Sequence, residues 1–279
     1  MQALALAFGS GIGWGTADFI AGLSARRLPL LVVACVSQAA GLLLIGAIVA
    51  IRWEAPRESV ALVYGLAGGL AAAVGLSALY RGLAIGRMGI VAPTAALSGT
   101  VPVAWGLIRG DRPSSVQLVG IALAVAGIVL AARSSDEGSE RRATTGVGLA
   151  LLAALALGIL VVLLDEAGRT DPLWGVLMVR LGALSLLGLA ALASRPSFAM
   201  TVSQGGGLLA AGVLDNGSNL AFALSAEAGG LLALTSVLGS LYPVATVVLA
   251  RIVLHERLAR HQALGVTAAL GGVTLIAAG

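Results

Sequence analysis

The sequence contains no lysine, and all 17 of its basic residues are arginines. A Walker-type phosphate loop needs a lysine behind its glycines to reach the nucleotide phosphates. Direct use of ATP by this chain through such a loop is therefore excluded. Cysteine is nearly absent as well. The single Cys35 lies inside an apolar run, so no intramolecular disulfide can form and the redox compartment stays open.

Histidine is almost as scarce, with only His255 and His261, which lie in one connection. An intramembrane hydrolase would need a nucleophile with a base, a metal cluster, or a pair of carboxylates at depth. A paired-aspartate site from Asp18 and Asp215 is conceivable, but neither residue lies in a recognisable motif. We therefore expect no enzyme, no metal and no cofactor.

Charged residues make up only 11% of the chain and hydrophobic residues 58%, whereas soluble domains carry about 25% charged residues. Apolar runs of about 20 residues recur, the length that crosses a bilayer, and backbone in hydrocarbon satisfies its own polar groups by forming helices. The sequence predicts an all-α membrane protein with ten transmembrane helices. The predicted spans are 3–23, 28–51, 60–83, 88–108, 115–132, 146–164, 173–193, 205–226, 230–254 and 261–278.

The net charge of +4 does not indicate a nucleic-acid partner, because most of the arginines lie in short connections between spans. Orientation and lipid head groups explain such arginines better. More of them follow odd-numbered spans than even-numbered spans, so the positive-inside rule places both termini outside.

A stretch of the chain occurs twice. Residues 77–104 align with residues 218–245, which brings Pro102 onto Pro243, and a polar D/E-R-x4-Q-x2-G-x6-G skeleton then follows in both copies. We interpret the chain as two homologous halves. The expected boundaries are a first five-helix repeat over 1–132, a polar linker over 133–145 and a second five-helix repeat over 146–279.

Five spans in each half is an odd number, so the second half must enter the membrane from the opposite side. The sequence therefore predicts two inverted five-helix repeats. This arrangement is associated with alternating access around a site at the repeat interface.

Three features resemble the drug/metabolite transporter superfamily, and specifically EamA-like transporters. They are Gly13-Trp14-Gly15 in the first span, the proline-containing fourth and ninth spans, and Leu254-His255-Glu256-Arg257-Leu258 followed by Gln262 and Gly265. The first half carries a reduced form of the last motif in Arg109-Gly110-Asp111-Arg112. The resemblance implies two five-helix repeats, export of a metabolite, and cytoplasmic termini, the opposite of the orientation that the arginines predict.

Ionisable side chains inside apolar spans are the first candidates for a site, because charge in hydrocarbon is costly. Asp18 lies on the first span, one helical turn after Trp14 and on about the same face. One interpretation is a carboxylate that takes up a proton or binds a cation. The other is a carboxylate at the head groups, near the end of its span.

Arg180 lies inside the seventh span and Asp215 about midway along the eighth, with Asn219 one turn further on. Arginine keeps its charge, so Arg180 needs a partner, either a buried aspartate or an anionic substrate group. A structural Arg180–Asp215 pair and a substrate cavity are both possible. We favour the cavity, because the nearby polar groups exceed what one pair requires.

The fourth and ninth spans carry matching stripes, with Thr94 and Pro102 in one and Thr235 and Pro243 in the other. Proline removes a backbone donor, so both helices are expected to bend beside a cavity. Ordinary small-residue packing is the alternative for the two threonines. Tyr242 and Gln38 complete the set of candidates.

These observations lead to the expectation of a secondary transporter, not driven by ATP, that exports a small metabolite such as an amino acid by alternating access. Asp18 or Asp215 would exchange a proton, and Arg180 would hold an anionic group. The alternatives are efflux of hydrophobic cations or drugs, and a non-transporting membrane sensor or scaffold. The expected partners are the lipid bilayer, a small-molecule substrate and protons. The expected state is a monomer, integral and multi-pass in a bacterial inner membrane.

Overall fold

The computed structural model describes residues 1–25, 27–85, 95–132, 140–253 and 260–278, and in these ranges every regular element is a helix. The α-helices are α1 (Gln2–Ala25), α2 (Leu30–Arg52), α3 (Ser59–Ile85), α4 (Thr100–Ile108), α5 (Ser115–Ala132), α6 (Glu140–Thr170), α7 (Pro172–Ser194), α8 (Val202–Glu227), α9 (Leu232–Gly239), α10 (Tyr242–Val253) and α11 (Arg260–Ala278), and a 3₁₀ helix over Ala96–Gly99 precedes α4.

Five of these helices contain segments that are long and apolar enough to cross a membrane, by length and composition. Shorter apolar helical stretches cover Leu97–Ile108, Ser115–Gly127, Leu232–Thr246 and Ala263–Ile276. The described helices fit ten spans, and the all-α membrane class is confirmed. The five long segments are Gln2–Ala25, Leu30–Arg52, Ser59–Leu79, Gly148–Thr170 and Pro172–Ser194.

The sixth span is longer than its apolar run predicts. Helix α6 begins at Glu140, inside the segment expected to be a linker, and continues to Thr170 instead of ending near residue 164. Near its end, Arg169 pairs with Asp165 one turn earlier, with Nε 2.8 Å from Oδ2. The Arg169 Nη2 also donates to the Gly230 carbonyl at 3.1 Å. These polar residues therefore support the last turns of the helix instead of ending it.

The ninth span is interrupted. Helix α9 ends at Gly239 and α10 begins at Tyr242, immediately before Pro243. Because proline has no N–H, the backbone bond from residue 243 to the Gly239 carbonyl cannot form. The fourth span differs, since its 3₁₀ turn runs directly into α4, where Pro102 occupies the first turn.

Helix packing follows a pattern that is preserved when the two halves are exchanged. Helix α1 packs against α8 as α3 packs against α6, and α2 packs against α8 as α3 packs against α7. Helix α1 also contacts α9 and α10, while α6 contacts the 3₁₀ helix and α4. Each of the buried apolar clusters in the described ranges draws residues from both halves, so the main core is the interface between them.

Small residues allow the closest helix approaches. Helices α5 and α11 meet where a Cβ atom on Gly120 would lie 2.8 Å from the Gly272 carbonyl oxygen. Lipid is as apolar as the helix surfaces, so association in a membrane depends on such close packing and not on apolar burial. Cys35 lies in a similar contact between α2 and α7, where it is buried with its Sγ 3.7 Å from the Leu187 carbonyl oxygen.

One end of the bundle carries polar contacts between the halves. In the loop between α2 and α3, the Arg57 Nη1 lies 2.7 Å from Oε1 of Glu227, and this hydrogen bond raises the pKa of the guanidinium. The Arg57 backbone N–H donates to Asp171 at 3.0 Å, and the Trp174 indole donates to the Glu54 carbonyl at 3.0 Å. This loop is therefore held against the start of α7 and the end of α8.

Two further contacts join the halves at the same end. Asp111 accepts a hydrogen bond from the backbone N–H of Ala233 at 2.8 Å, in the first turn of α9. Arg109 lies 3.3 Å from Glu166 on α6, which also accepts from the Trp105 indole at 3.4 Å. We call this set of contacts, together with those around Arg57, the polar latch.

Replacing Asp171 with alanine is expected to lower the free energy of unfolding by about 1–2 kcal/mol, because this residue is the N-cap of α7. Its carboxylate is 5% exposed and accepts from the Trp174 N–H at 3.2 Å as well as from Arg57. Denaturation in mixed micelles measures the loss. Asp171→Asn keeps an acceptor and should recover most of it, and Glu58→Ala in the neighbouring exposed loop should change stability by less than about 0.5 kcal/mol. Unchanged stability of Asp171→Ala would contradict the capping role.

Candidate functional site

Helix α1 is held unusually close to the interruption between α9 and α10. A Cβ atom on Gly11 would lie 2.6 Å from the Leu238 carbonyl oxygen, and one on Gly15 would meet the Tyr242 carbonyl oxygen. The Thr246 hydroxyl donates to the Gly15 carbonyl at 3.0 Å. These contacts set the position of the helix face that carries Trp14 and Asp18.

That face opens onto a cavity of about 770 Å³, including the solvent space that it reaches. The cavity lies between the two halves, so both contribute to its wall. It is lined by Trp14, Asp18, Gln38, Ala72, Leu76, Leu79, Ser98, Gly99, Leu157, Leu160, Val161, Val179, Arg180, Asp215, Asn219, Ser236, Gly239, Ser240 and Tyr242.

Arg180 is the centre of a buried polar network, and it is only 1% exposed. Its Nη1 donates to Oδ2 of Asp215 and to Oε1 of Gln38, both at 2.6 Å, and its Nε donates to Oδ1 of Asn216 at 2.9 Å. Burial of a guanidinium is tolerated when it is paired and its donors are used. Gly41 leaves room for this packing, since a Cβ there would lie 3.3 Å from Nε of Arg180.

Arg180 and Asp215 combine the two arrangements considered from the sequence, a structural ion pair and a place in the wall of a cavity. They form an ion pair, with side chains 2% and 28% exposed, and both also line the cavity. Asn219 supports Asp215, donating from Nδ2 to its backbone carbonyl at 2.8 Å. The guanidinium is thus engaged by protein groups, and the carboxylate is the more accessible member of the pair.

Asp18 differs from Asp215 in having no cationic partner among the described residues. Within the part of the chain that the structure describes, neither a hydrogen bond nor an ion pair joins its carboxylate to another residue. The Asp18 carboxylate interacts electrostatically with Asp215, which carries charge of the same sign, and with the Tyr242 side chain. Two carboxylates and one guanidinium therefore face a common space.

Several buried polar atoms around the cavity lack hydrogen-bond partners among the described residues. They include Nη2 of Arg180, Oδ1 of Asn219 and Oγ of Ser236. Asn219 is 3% exposed and Ser236 is 1% exposed. A buried polar atom without a partner is costly, so these atoms are candidates for contact with water or a ligand.

Aromatic and apolar groups form the rest of the wall. The Trp14 ring packs on Phe222 at a centroid distance of 5.6 Å, and the Tyr242 and Ser98 side chains hydrogen-bond to each other. Leucine and valine side chains from α3, α6 and α7 form an apolar side. The cavity therefore offers both charged and polar groups and apolar surface.

Most of the residues chosen from the sequence meet here: Trp14, Asp18, Gln38, Arg180, Asp215, Asn219 and Tyr242 all line the cavity. Thr235 is fully buried, but its hydroxyl donates to the Leu231 carbonyl at 3.1 Å, and it does not belong to the lining. Thr94 lies outside the described residues. Pro102 is buried in the first turn of α4, and Pro243 follows the α9–α10 interruption.

Sequence reasoning missed Asn216, which accepts from Arg180, and the serines 236 and 240 of the lining. Asn216 could have been found from the same signal as its neighbour, because an amide within an apolar span also needs a partner. Among the described residues, no group of three or more His, Cys, Asp or Glu side chains could hold a metal ion.

Comparison with known proteins gives the same class. The model of the EamA-like transporter family matches residues 144–278. A search of curated protein sequences found no match. A solved crystal structure, described only as that of a protein, is similar over 98% of this chain and 95% of its own, with a TM-score of 0.80 at 18% sequence identity. That likeness shows a shared fold over nearly the whole chain. The match covers the second half of the chain, which is therefore similar to EamA-like transporters and agrees with the drug/metabolite transporter resemblance of the sequence.

Proposed function

We propose that this protein is a secondary transporter that exports a small metabolite, such as an amino acid or a related compound, by alternating access. The observation that carries the proposal is the cavity between the halves, where polar side chains from α1, α2, α7, α8 and α10 converge. Transporters bind substrate near the membrane midplane at the interface of their repeats. We place the protein in a bacterial inner membrane, and since one chain encloses the cavity we propose that it works as a monomer.

We further propose that the halves are inverted repeats, with 1–132 as the first, 133–145 as the connection and 146–279 as the second. The support is the packing pattern, in which corresponding helix pairs make corresponding contacts. A two-fold axis between halves produces such a pattern. In an inverted pair, rocking of one half against the other opens the shared cavity to alternate sides.

The position of the polar latch suggests where one gate of the cavity lies. All its contacts lie where α2, α4, α6 and α8 end, and they join loops of the first half to helices of the second. We propose that the latch closes this end here and separates when the cavity opens to it. The exposed Arg57–Glu227 pair suits such a role, because surface ion pairs contribute little net stability and break easily.

Asp18 and Asp215 are the proposed proton-exchanging groups. Asp215 is held by Arg180, so protonating it would release the guanidinium from its partner. Asp18 has no cationic partner among the described residues, so its protonation would change the charge of the cavity directly. We propose Asp18 as the principal group.

Proteoliposomes loaded with an equimolar amino-acid mixture test this proposal, with mass spectrometry of the external solution as the readout. Wild-type protein should release a subset of the amino acids faster than protein-free vesicles, and an imposed pH gradient should change the rate. Asp18→Asn should lower this flux at least about tenfold, the effect of losing one charge-assisted contact. Glu58→Gln is the matched control, because the Glu58 side chain is exposed and makes none of the latch contacts.

Two results would contradict the proposal. Flux and pH dependence that survive in correctly folded Asp18→Asn would remove the role of this carboxylate. Binding of metabolites without release of any of them would instead favour a sensor or scaffold.

A further inference from the structure

The charges in the cavity do not cancel. Of the residues that line it, Arg180 carries a positive charge at neutral pH, and Asp18 and Asp215 are the acidic groups. The Arg180–Asp215 pair is close, at 2.6 Å, and its guanidinium is almost completely covered by protein. With that pair neutral as a unit, an ionised Asp18 leaves one uncompensated negative charge in the space.

Hydrogen-bond acceptors also remain free there. The Asn219 Nδ2 donates to the Asp215 backbone carbonyl at 2.8 Å, which fixes the amide. The atom left without a partner among the described residues is therefore the acceptor Oδ1. Asn219 is 3% exposed and lines the cavity. The Ser236 hydroxyl, which also lines the cavity and has no partner among the described residues, is a further group that can accept a hydrogen bond.

The free donors are less accessible to a cargo. The unused Nη2 belongs to Arg180, whose side chain is 2% exposed and whose other nitrogens are bonded to Asp215, Gln38 and Asn216. A cargo carboxylate would have to displace Asp215 from the guanidinium and leave that carboxylate unpaired. A carboxylate without its cation is costly inside a protein.

An aromatic face stands beside the free carboxylate. Trp14 precedes Asp18 by one helical turn, so both project from the same side of α1, and both line the cavity. An indole face attracts ammonium groups, most strongly when water is excluded. The lining also includes apolar side chains, among them Leu76, Leu157 and Val179.

We propose that the cavity recognises the protonated amine of an amphipathic cargo through Asp18, Asn219 and the Ser236 hydroxyl, and that it requires no carboxylate on that cargo. The proposal rests on the transport function proposed above and narrows its substrate class. An ammonium group supplies three donors, which can be taken up by the Asp18 carboxylate, Oδ1 of Asn219 and the Ser236 hydroxyl. The apolar part of the cargo would lie against the leucine and valine side chains.

Two matched ligand series test the proposal in purified protein in nanodiscs at pH 7. One series is 2-phenylethylamine, phenylalanine and 3-phenylpropionate, and the other is 3-methylbutylamine, leucine and 4-methylpentanoate. Each series keeps one apolar group and changes only the charged groups. Calorimetric titration gives the dissociation constants. Each amine should bind at least tenfold more tightly than the matching acid, and at least as tightly as the matching amino acid.

Variants at Asp18 locate the effect. Asp18→Asn should weaken amine binding about tenfold and leave binding of the acids unchanged, whereas Asp18→Glu should keep the preference for amines. Glu58→Gln, which changes an exposed carboxylate outside the cavity and the latch contacts, should bind as wild type does. Thermal unfolding of each variant checks that it is folded. If Asp18→Asn does not fold, the preference of Asp18→Glu for amines over acids tests the role of the carboxylate.

Acids or amino acids that bind more tightly than the amines would overturn the proposal, as would failure of both amines to bind. Neither result would overturn transport itself. The proteoliposome assay decides that separately, because it detects release of any amino acid from the mixture whatever its charge requirement.

Discussion

Arg180→Gln is expected to lower the free energy of unfolding by about 3–5 kcal/mol, the usual cost of removing one partner of a buried ion pair. The substitution removes bonds to Asp215, Gln38 and Asn216 at once and leaves the Asp215 carboxylate without its cation. Unfolding of purified protein in mixed micelles measures the change. Arg52→Gln is the matched control, because Arg52 is exposed at the end of α2, and it should alter stability by less than about 0.5 kcal/mol.

A second substitution separates loss of charge pairing from loss of packing. Arg180→Met with Asp215→Leu removes both charges and keeps similar volume, so it should recover much of the stability that Arg180→Gln loses. If the double variant regained stability but did not transport, the Arg180–Asp215 pair would be needed for the function of the cavity and not only for its fold. If Arg180→Gln were as stable as wild type, the network around Arg180 would not hold α2, α7 and α8 together as described.

Gly15→Ala is expected to lower the free energy of unfolding by about 1–3 kcal/mol, the cost of overpacking a close helix contact. The added methyl would meet the Tyr242 carbonyl oxygen and would lie 2.6 Å from the Cβ of Ala245. The nearest atoms are backbone or a short side chain, so α1 itself must shift. Because Asp18 lies one turn further along α1, flux in the proteoliposome assay should fall as well.

Gly22→Ala is the control for this substitution. It lies on the same helix, and nothing stands within 4 Å of the position that its Cβ would take. Alanine also favours helix over glycine by about 1 kcal/mol, so Gly22→Ala should be neutral or slightly stabilising. Equal behaviour of the two variants would show that the contact between α1 and α10 is looser than its geometry indicates.

Much of the site could be predicted from the sequence, because charge and amide groups within apolar spans have few explanations. Asp18, Gln38, Arg180 and Asp215 were identifiable on that ground alone. Their meeting in one cavity agrees with a site between the halves. The choice between a pair and a cavity could not be made in advance, since it depends on how α7 and α8 face each other.

Other features depend on contacts that local sequence does not encode. The span pattern ends the sixth helix at its first charged residues, yet Arg169 bonds both to Asp165 and to the distant Gly230 carbonyl, and the helix continues. Thr235 matched the stripe of the fourth span. Its hydroxyl nevertheless donates to the carbonyl of Leu231, the residue before α9 begins. The repeat alignment brings the two prolines together. The ninth span is nevertheless divided into two α-helices, whereas the described part of the fourth span is a 3₁₀ turn that runs into a single α-helix.

The burial of Cys35 has a practical consequence for following this protein in motion. The chain has no lysine and one cysteine, and that thiol is packed against the Leu187 carbonyl between α2 and α7. Thiol-reactive probes need an exposed thiolate, so a cysteine introduced at an exposed position of the latch would dominate the labelling. Fluorophore or spin-label pairs across the latch can therefore be attached with the native thiol left in place, and the distance between the halves can be recorded during turnover.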